Sequence, residues 1–148
     1  KEKSLFLNNF SRLVRQPMIY ALTIPWLVAV LGSSSPIIAK LTNPQIEMAY
    51  FIYHHAEAND IQPDKFLKLA VCESGLNNNA IGDKGKAKGL YQFHKKTWNS
   101  YSEIYGKGLD YENPIDQIYL ASRIIGDGGI NNWYNCKKKI GFDSLALR

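Results

Sequence analysis

The sequence predicts a small, mainly α-helical single domain, and three observations carry that expectation. Apolar residues recur at helical spacing in four stretches, each bounded by proline, an asparagine cap or glycine. No run alternates apolar and polar residues for long enough to demand a strand, and no internal repeat or heptad register appears. With 148 residues, 45% hydrophobic and 21% charged, the chain suffices for one domain with a real core and is too ordinary in composition for global disorder.

The first helix is read in NPQIEMAYFIYHHAEAND, where Pro44 stands at the start and Ile46, Ala49, Tyr53 and Ala56 share one face. The second, QPDKFLKLAVCESG, opens on Pro63, and Asp64 complements the positive end of the helix. Its apolar face comprises Phe66, Leu67, Ala70 and Val71, and Gly75 closes it. The third, FHKKTWNSYSEIYGKG, carries Trp98, Tyr101 and Tyr105 in register and ends at Gly106. The fourth, NPIDQIYLASRIIGDGG, has Asn113 as cap, Pro114 at the first helical position, Ile115, Ile118, Ser122 and Ile125 in register, and Gly126 as its stop. Between the second and third helices, residues 79–92 offer room for a short β-hairpin.

Charge is unevenly spread. Lys1, Lys3, Arg12 and Arg15 against Glu2 give the first 39 residues +3 of the chain's net +5. The remainder is nearly balanced, so nucleic acid is not implied as a partner. The basic leader precedes an uncharged apolar run, Met18–Gly32, and then small residues, the order of a secretory signal. Residues 1–39 are therefore read as a signal peptide, with cleavage after Gly32 or Ala39, or as an uncleaved membrane anchor reaching Ile38. Either way residues 40–136 are expected as an exported, monomeric domain followed by a basic tail, 137–148. Lys137–Lys139 in that tail read as a solvated end, with contact to anionic wall polymers or headgroups as the alternative.

Export bears on the two cysteines, Cys72 and Cys136. An even count in an oxidising compartment reads as a disulfide, with two independent buried thiols as the alternative. The loop-entropy model gives such a bridge about 4 kcal/mol. Neither cysteine has metal-ligand spacing or a histidine nearby in sequence, so no metal and no cofactor is expected.

Glu73 follows Cys72 in the last turn of the second helix. The negative helix end and partial desolvation both favour its protonated form, which a general acid needs. Most glutamates at helix ends are merely solvated, so position alone does not make it catalytic. The sequence around it adds more. ESGLNNNAIGDKGKAKGLYQF resembles the core of the soluble lytic transglycosylases: Glu-Ser at a helix end, a polar loop, then Gly-Leu-x-Gln-Phe. The ordered set CESG, GLYQF, TW, QI and WYNC is similar to the resuscitation-promoting-factor domain, a lysozyme-like relative with a bridge of this sort.

The resemblance implies a lysozyme-like fold and peptidoglycan as substrate, cut between N-acetylmuramic acid and N-acetylglucosamine. It makes Glu73 the single catalytic acid and places Ser74, Gly89, Gln92, Phe93, Thr97, Trp98, Gln117 and Trp133 as substrate-binding positions. The chain departs from the pattern in two places. GDGGINNWYNC replaces the Ala-Tyr-Asn-Ala-Gly element, and Gly82-Asp83 stands where a serine is usual. A lone acid suits lytic transglycosylation, in which the muramoyl C6 hydroxyl closes a 1,6-anhydro ring and no second carboxylate is needed. A hydrolytic muramidase would need one, with Asp83, Asp110 and Asp116 as candidates, although GDKG around Asp83 reads most simply as a turn. A catalytically silent wall-binding module is the remaining alternative.

Rival readings of the loop fit poorly, since it lacks the ending of a phosphate loop and the ligand spacing of a calcium loop. Trp98, Tyr101, Tyr105 and Tyr111 are read as core or as sugar-stacking rings. His54 and His55, adjacent on a helix, are read as a surface pair.

Overall fold

The computed structural model describes residues 41–143; the predicted signal or anchor lies outside them. Among the described residues there are five α-helices and a small antiparallel sheet. Helix α1 spans Asn43–Ala58, and its N-terminus is closed by the Gln45 side chain, which accepts from the Thr42 N–H at 3.0 Å. Helix α2 spans Pro63–Ser74 and ends at Gly75, which takes the left-handed conformation (φ 65°) expected of a C-terminal glycine. Helix α3 is Lys95–Tyr105, and α4 is Pro114–Gly126. The Asn113 side chain caps α4 by accepting from the Ile115 N–H at 2.9 Å.

Some faces differ from the sequence expectation. In α1, Ala49 and Ala56 are buried as predicted, but Phe51 and Ile52 join them while Ile46 and Tyr53 are only half-buried. In α2, Leu69 is buried and Val71 is 38% exposed. Both shifts follow from what each helix packs against. Helix α1 is covered by α2 and α4, and α2 also by α5, so the buried stripes are wider than one partner would require.

The chain does not end its fold at Cys136. A 3₁₀ segment, Gly129–Trp133, leads into α5, Tyr134–Ile140, and Phe142 beyond it is buried. Lys65 of α2 donates to the carbonyls of Ile140 and Gly141 at 3.2 and 2.6 Å, satisfying acceptors that the end of α5 leaves open. The predicted tail therefore contributes helix and core at least as far as Phe142.

The sheet consists of three two-residue strands, β1 (Ile81–Gly82), β2 (Ala87–Lys88) and β3 (Phe93–His94), in sequential antiparallel order. Ile81 pairs with Lys88, and Lys88 with Phe93, so the hairpin expected in 79–92 gains a third strand just beyond it. Strands this short do not stand alone. Aromatic packing behind them supplies the support. Phe66 stacks on Tyr91 at 4.8 Å, and Phe93 meets both Trp98 and Trp133 edge-on at 5.3 and 5.4 Å. Trp98 in turn meets Tyr111 at 5.4 Å. Each such pair contributes about 0.5–1.5 kcal/mol beyond simple burial.

Candidate active site

Glu73 lies in the last turn of α2 and is half-buried. Desolvation pushes its carboxyl above the usual glutamate value. The residues around it are tied to distant parts of the fold. Cys72 is bonded to Cys136 of α5, with 5.9 Å between their Cα atoms and a sequence separation of 64. The Ser74 hydroxyl lies 2.8 Å from the Leu90 carbonyl, to which it donates, and 3.2 Å from that of Ala70. Gln45 of α1 donates to the Gly75 carbonyl at 3.2 Å. The main chain carrying Glu73 is thus held on three sides.

The loop leaving Glu73 is unusually strained. Among the described residues, four of the five non-glycine residues with positive φ fall within it: Leu76, Asp83, Lys84 and Gln92. Such conformations persist only where the surroundings enforce them. Here Gln92 does much of the enforcing. Its Nε2 donates to the carbonyls of Ala80 and Gly89 at 3.1 and 2.8 Å, and the Gly89 N–H donates to Ala80 at 2.8 Å. The Gln92 Oε1 lies only 2.2 Å from where a β-carbon on Gly82 would stand, so the amide needs a glycine there.

Gln117 plays the matching part from α4. It is buried, its Oε1 accepts from the Tyr91 N–H at 3.2 Å, and its Nε2 donates to the Tyr111 carbonyl at 2.8 Å. The Lys88 carbonyl lies 3.4 Å from the same nitrogen. Two glutamines predicted to face substrate therefore engage their amides with the protein's own main chain. Ser74 does likewise.

The aromatic residues settle inside. Phe93, Trp98 and Trp133 are all buried in the cluster behind the sheet, and Trp133 Nε1 donates to the Tyr91 carbonyl at 2.8 Å. Tyr111 donates its hydroxyl to the Phe93 carbonyl. Thr97 stands half-buried in the first turn of α3, while Tyr101 and Tyr105 stack on each other, half-buried, at 6.2 Å. Asp83 occupies the exposed hairpin turn, a 3₁₀ segment Asp83–Gly85 in which all three residues have positive φ. Its carboxylate lies 3.4 Å from His94 Nε2 on β3.

A pocket of about 200 Å³ opens beside the loop. Its lining includes Asn78, Ile81, Lys88, Gly89, Glu112 and Gln117. Of the predicted site residues, Gly89 and Gln117 form its wall, while Glu73, at the helix end preceding loop 75–80, is not among its lining residues. Lys88 and Glu112, which sequence reasoning did not single out, form an ion pair at 3.4 Å on its rim. Asn78 was missed as well; within the Asn77–Asn79 triplet nothing in the sequence marks one asparagine from its neighbours. Among the described residues no three His, Cys, Asp or Glu side chains gather as a metal site would require, and no helix is long and apolar enough to cross a membrane.

Comparison with known proteins locates this arrangement. The chain is 30% identical over 81 residues to the probable transglycosylase SceD of Staphylococcus aureus strains Newman, Mu3 and USA300. The match takes in 53% of this chain but only 35% of each relative, so the chain spans about a third of the length of the curated relatives it matches. No solved structure matches significantly. The family model for the transglycosylase-like domain covers residues 62–136, about half the chain, from the start of α2 through the bridged Cys136. The helix bearing Glu73, the tied loop and the aromatic wall all fall inside that span: the chain belongs to the transglycosylase-like domain family.

Proposed function

We propose that this protein is an exported lytic transglycosylase that cleaves the MurNAc–GlcNAc bond of peptidoglycan, with Glu73 as its single acid and base. The observation that carries the reading is the state of Glu73: a half-buried carboxyl whose protonated form is favoured by desolvation, on a helix end fixed by the disulfide and the Ser74–Leu90 bond. A carboxyl so placed gives its proton to the glycosidic oxygen as positive charge develops on the sugar. The resulting carboxylate then takes the proton of the muramoyl C6 hydroxyl, whose oxygen closes the 1,6-anhydro ring. Proton count balances over the two steps, and neither water nor a second carboxylate takes part.

Asp83, a candidate second carboxylate, sits at an exposed turn beside His94, an arrangement that serves the turn. Family membership and the likeness to SceD support the reading at the level of transglycosylase-like chemistry. Mass spectrometry of soluble products from purified peptidoglycan tests it. Anhydro-muramoyl ends are expected, and Glu73→Gln should lower their release by roughly 10²–10⁴-fold. Reducing ends, heavier by one water, would instead make the enzyme a muramidase. Undiminished activity in the Gln variant would remove Glu73 from the mechanism.

A further inference from the structure

Several polar side chains at or behind the pocket's wall are engaged by the protein itself. Gln117 bonds Tyr91 and Tyr111, Gln92 fastens Ala80 to Gly89 behind it, and Lys88 pairs with Glu112 on the rim. Asn78 differs: its Oδ1 is shielded from solvent and has no hydrogen-bond partner, alone in this respect among the side-chain atoms of the described residues. A buried acceptor left in that state destabilises the fold that holds it. Asn78 is also among the residues that line the pocket, together with Ala80 and the exposed Ile81. Rotation about the asparagine Cβ–Cγ bond is soft, so the oxygen can turn toward a donor that enters.

We infer that Asn78 is a specificity-determining residue whose carboxamide oxygen accepts a hydrogen bond from a secondary amide N–H carried by the glycan strand. The inference rests on the proposed peptidoglycan substrate. A pocket whose lining also includes Ala80 and Ile81 suits an N–H with a methyl group close by, which describes both the acetamido group of an amino sugar and the first amide of a peptide stem. The pocket is smaller than the roughly 300 Å³ at which sites for whole small ligands begin. It therefore takes one unit of a strand, the rest lying along the surface.

The same observation predicts an unusual pair of effects for Asn78→Leu. Removing the unpartnered oxygen relieves the free protein, while the bound state loses a hydrogen bond. The test uses the full chain carrying Glu73→Gln, so that binding is read without turnover, with chitotetraose and muramyl dipeptide as probes in titration calorimetry. Adding Asn78→Leu should weaken binding about tenfold or more, with a melting temperature equal to or above that of the parent. Loss with chitotetraose identifies the acetamido group; loss with muramyl dipeptide alone identifies the stem amide. Unchanged affinity for both probes overturns the role of Asn78, as does a clear fall in melting temperature, which would mark a structural residue. If the parent binds neither probe, the peptidoglycan reading itself falls, whatever Asn78 does.

Discussion

The Gln117 amide occupies the space where Gly89 would carry a side chain. A β-carbon at Gly89 would stand 2.2 Å from Gln117 Nε2, and Gly89 has a φ of +78° that L-residues rarely adopt. Helix α4 and the strained loop are thus fitted through one glycine. Gly89→Ala should destabilise the domain by about 3 kcal/mol, combining left-handed strain with overpacking. Chemical denaturation measures this; a loss well under 1 kcal/mol would show that the loop yields easily.

Glu73 also makes a stability prediction, independent of activity. Its folded-state pKa is raised, so the native protein holds its proton more tightly than the unfolded chain does. That group therefore destabilises the fold as pH climbs above the ordinary value of 4.5, and the penalty vanishes well below it. Glu73→Gln should raise the melting temperature at neutral pH and lose that advantage in acid. A gain that persisted unchanged at low pH would point to packing instead.

His55 shifts the other way. Burial, reinforced by neighbouring His54, lowers its pKa from 6.5 to about 4. Folded His55 stays neutral where the unfolded residue is protonated, so stability should fall as pH drops from 6.5 toward 4. The half-buried ring packs edge-on against Tyr119 at 6.0 Å, so it is less exposed than the surface position that the sequence suggested. Denaturation across that window, repeated with His55→Gln, should show a shallower slope in the variant.

The Cys72–Cys136 bond closes a long loop and joins α2 to α5. Cys136→Ser should cost up to about 4 kcal/mol under oxidising conditions, and reductant should bring the parent down to the same level. Equal melting temperatures for variant and parent without reductant would mean that the bond contributes nothing to stability.

What could be read from the sequence was local. Gly75, Gly106 and Asn113 mark helix ends through their own backbone or side-chain chemistry, which needs no knowledge of the rest of the fold. Helix α5 left little trace, because seven residues with three lysines show no apolar stripe. Phe142 is buried just beyond Ile140 and Gly141, whose carbonyls accept from Lys65, a residue some seventy-five positions earlier. Leu69 and Val71 exchanged roles because α5 packs where the sequence offered no partner. In the candidate site, Glu73 and Gly89 were singled out through the resemblance of the motif around them, not by spacing alone. The inward engagement of Gln92 and Gln117 was not legible, since an amide reads alike whether it meets a sugar or a carbonyl.

The aromatic wall has a practical consequence. Of the chain's three tryptophans, only Trp98 and Trp133 lie within residues 41–143, and both rest against Phe93. With Trp26 replaced by Phe, two buried indoles on one phenyl ring make intrinsic fluorescence a gauge of that wall. A red shift on mild heating or acidification would then report that the floor beneath the loop had admitted water before the helices melted.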